Sequence, residues 1–136
     1  MTVSELARRA GVTADTVRHY THSGLLAPIR GKNNGYNCYS SGDLVRLLFI
    51  RKARLLGFSL GDVSNILNER SCGHSPCPQV RKIMELRLQE TQLRMQDLEK
   101  LRARMEHAAA LWEKMPDGMP DGNAVCHLIE NIAMED

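Results

Sequence analysis

A chain of 136 residues can bury one modest core and carry one extended element besides. It has no run of about 18 apolar residues, and its start, MTVSELARRAG, is charged and amphipathic, which excludes a membrane span or secretory leader and points to a cytoplasmic protein. The net charge is only +2, but residues 1–60 hold nine Lys/Arg against three Asp/Glu, while residues 61–136 hold nine against thirteen. A basic front half on an acidic back half suits a polyanion partner at the front. In a reducing compartment the four cysteines suit metal binding or redox sensing better than a structural disulfide.

Residues 3–10, VSELARRA, form a short predicted helix with Ser4 as its cap and Val3, Leu6, Ala7 and Ala10 on one apolar side. Gly11 ends it, and Thr13 caps a second helix reaching about Ser23, with Asp15 near its N-terminus. Two short helices joined by a tight Gly-containing turn make a helix-turn-helix, whose second helix enters the major groove of DNA. Thr13, Ala14, Thr16, Val17 and Arg18 head that helix and are the candidate DNA contacts. Pro28, Gly31, Asn33, Asn34 and Gly35 then mark a hairpin with arms Leu26–Arg30 and Tyr36–Ser40. Its basic tip, Arg30 to Asn34, reads as a wing that reaches phosphates or the minor groove. Ser40 or Ser41 caps a third helix, Gly42 to about Leu56, with Leu44, Leu47, Leu48 and Ile50 inward. Ser59 caps a fourth, Leu60–Arg70, and its outward N–H groups offer a further phosphate contact.

The most extended element is a helix from about Ser75 to Glu113. Its apolar residues Val80, Met84, Leu88, Thr91, Met95, Leu98, Leu101, Met105, Ala108 and Trp112 recur at steps of three and four, a coiled-coil seam. At about 1.5 Å per residue it exceeds ~50 Å, and the chain has no second helix long enough to cover it, so a homodimer through residues 75–113 is expected. Ser75 is placed as its N-cap and Pro76 at its first position. Cys77 then lies in the first turn, where a helix N-terminus favours thiolate, the form that binds metal. The helix stops at Met115-Pro116, and a tandem repeat, MPDGMPDG, suggests paired tight turns. Asn123 is expected to cap a short last helix, with Cys126 in its first turn followed by His127.

The segments VSELARRAGVTADTVRHYTHSGLL and GYNCYSSGDLVRLLFIRKARLLGFSLGDVSNIL, followed by a Cys before a long helix, resemble the MerR family of bacterial transcription regulators over essentially the whole chain. The resemblance implies a mainly α fold: a winged helix-turn-helix domain over residues 1–71, a linker and antiparallel dimerisation helix over 72–113, and an effector loop with a short C-terminal helix over 114–136. It also implies a mechanism in which the dimer sits between two over-spaced promoter boxes and, on binding its effector, bends and untwists the DNA so that RNA polymerase reads both. Where the family has Tyr-Tyr-Glu after the recognition-helix arginine this chain has His19-Tyr20-Thr21, and where the wing has Arg it has Asn37. Phosphate contacts then fall to Arg18, Tyr20, Lys32, Tyr36, Tyr39 and Arg51, with one cation fewer and a more salt-sensitive placement.

In the antiparallel family dimer the start of one long helix lies beside the end of its partner, so Cys77 of one subunit would meet Cys126 of the other in two symmetric sites. A Cys at position 77 resembles the sensors of zinc, cadmium, lead and mercury, whereas the copper(I) group has Ser there. Metal-sensing members carry a further Cys near positions 112–114, where this chain has Trp112-Glu113-Lys114. Two thiolates are few for tetrahedral zinc, which leaves His127, then Cys72, His74, Glu113 and Asp117 or Asp121, to complete the set. The alternatives are a thiol redox switch, a non-metal effector, or a constitutive DNA-binding dimer. An enzyme is not expected, because the chain has no nucleophile elbow, phosphate-cradling Gly loop or carboxylate pair.

Overall fold

A computed structural model describes residues 1–31 and 35–134. The elements run α1 (Val3–Ala10), α2 (Ala14–His22), β1 (Ile29–Arg30), β2 (Asn37–Cys38), α3 (Ser41–Leu55), α4 (Leu60–Ser71), α5 (Cys77–Trp112) and α6 (His127–Glu130). The chain divides into two compact units, Met1–Arg87 and Leu88–Asp136.

The first unit is a helical head around one core. Leu6, Val17, Leu47, Ile50 and Val63 are its largest fully buried side chains, joined by Leu25, Leu26, Tyr39, Phe58 and Ile66. Helix α1 covers the expected residues but is capped two positions earlier than expected: Thr2, not Ser4, accepts the Glu5 N–H at 3.1 Å. Gly11 closes α1 at φ +70, and its bare Cα lets Arg51 of α3 approach, since a Cβ there would lie 2.9 Å from the Arg51 Nη1. That Nη1 donates to the Ala10 carbonyl at 3.0 Å, so α3 holds the turn of the helix-turn-helix from behind. The hairpin is shorter than its expected arms, two antiparallel residues a side with Ile29 opposite Cys38 and Arg30 opposite Asn37.

Helices α3 and α4 open with the same device. Ser40 and Ser59 each accept the N–H three residues on, while Asp43 and Asp62 reach back to the cap N–H, forming two reciprocal capping boxes. The head runs on past the end of α4 into the first turns of α5. Val80, Ile83 and Met84 pack against the core, and Arg87 grips Asp62 through two parallel bonds, Nε–Oδ2 at 2.9 Å and Nη2–Oδ1 at 2.8 Å.

The second unit comprises the rest of α5 and the segment after it. No α5 residue is buried, and Leu88, Met95, Leu98 and Met105 are each more than half exposed within one chain. After α5, Trp112 donates its indole N–H to the Leu128 carbonyl at 2.8 Å, which folds the C-terminal segment back onto its own helix end. The tandem MPDG repeat does not produce paired turns. A single turn closes at Asp121–Ala124, with Gly122 at φ +60. Helix α6 is one turn long and begins after Cys126, not at Asn123.

Candidate functional site

The outer surface of α2 and the wing forms one face of the head. Thr13 caps α2 through the Thr16 N–H at 3.1 Å, and the two threonine hydroxyls share a 2.8 Å bond. Arg18 projects from the same turn and is already held by Asp15 at 2.8 Å, a pair in which both side chains are largely exposed. Arg18 and Tyr36 line a common groove, with Gly31, Gly35 and Cys38 on its wing side. Arg30 is oriented across the wing by a 3.1 Å bond from its Nε to the Gly35 carbonyl. Lys32, with Asn33 and Asn34 of the expected basic tip, lies outside the described residues.

Two of the expected contacts belong to the interior. Val17 is fully buried under the recognition helix, and Ala14, three residues before it on the same side, is partly buried against the same core, while Thr13 and Arg18 are exposed. Tyr39 is buried too, and its hydroxyl meets the Thr21 Oγ1 at 2.7 Å. Since the Thr21 hydroxyl spends its one proton on the Val17 carbonyl at 2.8 Å, it accepts from Tyr39, which ties β2 to α2 and leaves no free hydroxyl for a phosphate. Tyr20 is half-buried against the core, with its ring 5.7 Å from that of His19. Arg51 is exposed but spends one N–H on the helix-turn-helix turn.

The start of α4 is likewise unsuited to a phosphate. The Asp62 carboxylate occupies it, bonded to the Ser59 N–H and clasped by Arg87, and these partners hold its pKa down at about 2 against the ordinary 3.8 despite burial that opposes ionisation.

The thiols fall into two groups, one in each unit. In the head, Cys72 is the C-cap of α4 and Cys77 the first residue of α5, both exposed, with the Cys77 N–H donating to the Ser75 Oγ at 3.4 Å. His74 lies between them with Nδ1 at 3.3 Å from Glu69 Oε2. In the second unit, Cys126 is half-buried at the N-cap of α6. The Glu130 carboxylate accepts its N–H at 3.0 Å and that of Val125 at 3.3 Å, which fixes this helix start. His127 Nε2 sits 2.9 Å from the Pro116 carbonyl. A carbonyl only accepts, so Nε2 carries a proton, and in the neutral ring Nδ1 then keeps the lone pair, as in an imidazole oriented through one nitrogen to ligate a metal through the other. Gly118 leaves room for that ring, since a Cβ there would stand 3.3 Å from it. Glu113, just past the end of α5, is exposed. Among the described residues of one chain, no three His, Cys, Asp or Glu side chains come together as a metal cluster.

The model of the MerR HTH family regulatory proteins matches residues 1–70, and that of the MerR DNA-binding region matches residues 44–108. The chain belongs to the MerR family. This MerR-family protein is a DNA-binding transcriptional regulator, and MerR regulators are dimers. Among its relatives, the HTH-type transcriptional regulator ZntR of Escherichia coli (strain K12) is 35% identical over 105 residues, covering 76% of this chain and 74% of that protein. A probable heavy metal-dependent transcriptional regulator of Haemophilus influenzae is 29% identical over 107 residues, covering 79% and 84%. The fold matches that of the regulator PbrR691 from Ralstonia metallidurans CH34, solved with lead(II), at a TM-score of 0.75 over 98% of this chain and 99% of that one, with 23% identity.

Two features of the regulator's head escaped the sequence. Arg30 was legible only as part of a basic tip, and its bond to Gly35 needs the hairpin to be closed. The Asp62–Arg87 pair spans 25 positions and two helices, so no local spacing signals it.

Proposed function

We propose that this regulator binds promoter DNA as a homodimer and activates transcription by distorting that DNA when a thiophilic divalent ion of the zinc, cadmium, lead or mercury type binds. Thr13, Ala14, Thr16, Arg18, Tyr20 and Tyr36 meet the DNA, with Lys32 at the wing tip. Cys126 and His127 of one subunit and Cys77 of the other hold the ion, and Cys72, His74 or Glu113 completes the shell. The observation that carries the metal reading is the His127 imidazole, oriented through Nε2 by a backbone carbonyl with Nδ1 left as a ligand one residue from a half-buried thiol. The likeness to a heavy metal-dependent relative supports it. A lone chain supplies too few ligands in either unit, so the site requires both copies, and ion binding then acts where the two subunits meet. The ion would supply positive charge and fixed geometry to thiolate and imidazole donors; the chain's own part is to hold them and pass the change to its two heads. RNA polymerase is the partner that reads the realigned promoter.

The test is metal content of the purified dimer, followed by competition titration with Zn²⁺, Cd²⁺, Pb²⁺ and Hg²⁺. Stoichiometric binding of one of these ions, lost in Cys77→Ser and in Cys126→Ser, is expected. Undiminished affinity in either variant refutes the ligand set, and no binding by the unaltered dimer refutes metal sensing.

A further inference from the structure

The matching Ser-x-x-Asp boxes of α3 and α4 give their aspartates different duties. Asp43 closes its box on the Ser40 N–H and hydroxyl, and among the described residues it is in no ion pair. That is all a helix start requires. Asp62 does the same for Ser59 and also takes both ends of the Arg87 fork. Capping therefore accounts for Asp62 but not for Arg87. Net stability is a weak reason for Arg87 too, since an apolar pair of similar size usually serves as well as a buried ion pair. What the fork adds is direction, because two parallel bonds fix the plane of the guanidinium and with it the helix that carries it.

Arg87 sits where direction counts. The first turns of α5 lie on the head through Val80, Ile83 and Met84, and Arg87 is a second hold about 10 Å along the helix from Val80. From Arg87 the helix runs unbroken to Trp112, about 37 Å further. A slip of ~1 Å at the clasp would tilt α5 on the head by about 6°, which over that length becomes about 4 Å, close to the ~3.4 Å rise of one base pair.

We propose that the Asp62–Arg87 clasp is the positioning pair that sets which spacing between two DNA half-sites the dimer accepts. Neither residue is among the DNA contacts; the pair acts through the angle of the head on the first turns of α5. A dimer binds half-sites whose separation matches that of its two heads. A fixed angle therefore accepts one spacing, and a loose angle accepts several. The inference rests on the homodimer proposed above, with α5 as its pairing helix, and needs no effector.

An operator selected from random duplex DNA with the unaltered full-length protein supplies the test. Its centre is lengthened or shortened by one and two base pairs, and affinities are measured at one salt concentration without added metal, with the dimer verified by sedimentation. The unaltered dimer should lose about tenfold or more for one base pair of misfit. Two variants loosen the clasp: Arg87→Lys keeps the charge without the fork, and Asp62→Asn with Arg87→Met leaves no unpaired charge. Both should bind the best operator within about threefold of the unaltered protein and lose only about two- to threefold on misfit. Tyr39→Phe, which weakens the head away from the clasp, should keep the full penalty. A full penalty in either clasp variant overturns the proposal. So does a penalty lowered equally by Tyr39→Phe, which would make the effect one of general loosening. An unaltered protein indifferent to spacing would overturn the two-headed dimer reading, and the proposal with it.

Discussion

Asp62→Asn tests how the long helix is fastened to the head. The asparagine can still accept the Ser59 N–H, but it no longer balances the Arg87 guanidinium, whose partner is only 10% exposed. The Asp62 pKa falls from 3.8 unfolded to about 2 folded, chiefly through Arg87. At about 1.4 kcal/mol for each pH unit, that difference is roughly 2 kcal/mol of stability at neutral pH. The sign follows from the depression: the stabilisation is complete above pH 3.8, fades as the pH falls through the folded value, and is well below ~1 kcal/mol at pH 2. Urea unfolding of the unaltered protein and of Asp62→Asn, at one fixed protein concentration from pH 7 down to 2, measures the gap directly. The gap should be about 2 kcal/mol at pH 7 and close between pH 4 and 2. A gap that stays constant across this range would mean that the loss comes from packing, and would refute the ion pair as the fastening.

Gly11→Ala places a Cβ at φ +70 and 2.9 Å from Arg51, so a loss of about 1–2 kcal/mol is expected, read as a lower melting temperature. Tyr39→Phe should cost about 1 kcal/mol through the lost bond to Thr21 while leaving the salt dependence of DNA binding unchanged, because the hydroxyl faces the core. Arg18→Ala should do the opposite, holding stability within about 0.5 kcal/mol and reducing the slope of log affinity against log salt by about one. His127→Ala should weaken metal binding by about 10- to 100-fold or more in competition titration while the head melts as before.

The elements of the head were legible because each is bounded by local chemistry: Thr13 at a cap, Gly11 and Gly24 in the left-handed region, two Ser-x-x-Asp boxes. What local chemistry cannot report is which side of a short helix the rest of the chain covers. Val17 and Thr16 are neighbours in sequence, and only packing on Leu6 and its surroundings makes one core and the other surface. Tyr39 was misread for the same reason, since an aromatic beside a wing strand fits either a phosphate or a core. Ser4 and Thr2 are both adequate caps, and the backbone bond from Leu6 to Thr2 decides between them. The last helix was overestimated because its apolar run follows the 3.6-residue period. Glu130 and Trp112 instead draw the chain into one turn fixed against its own long helix. The thiols were legible as ligand types, while their assembly depends on a second chain that no single sequence spacing encodes.

The uncovered apolar stripe of α5 has a genetic consequence. A chain that leaves Leu88, Leu98 and Met105 bare cannot act alone, so every working molecule in a cell is drawn from a common pool of subunits. An allele that keeps α5 but spoils the DNA-reading surface would enter that pool on equal terms. When it is made in equal amount with the intact chain, only about a quarter of dimers would have two sound heads under random pairing of subunits. Loss of one surface residue such as Arg18 would thus behave as a dominant trait, whereas loss of α5 itself would be recessive.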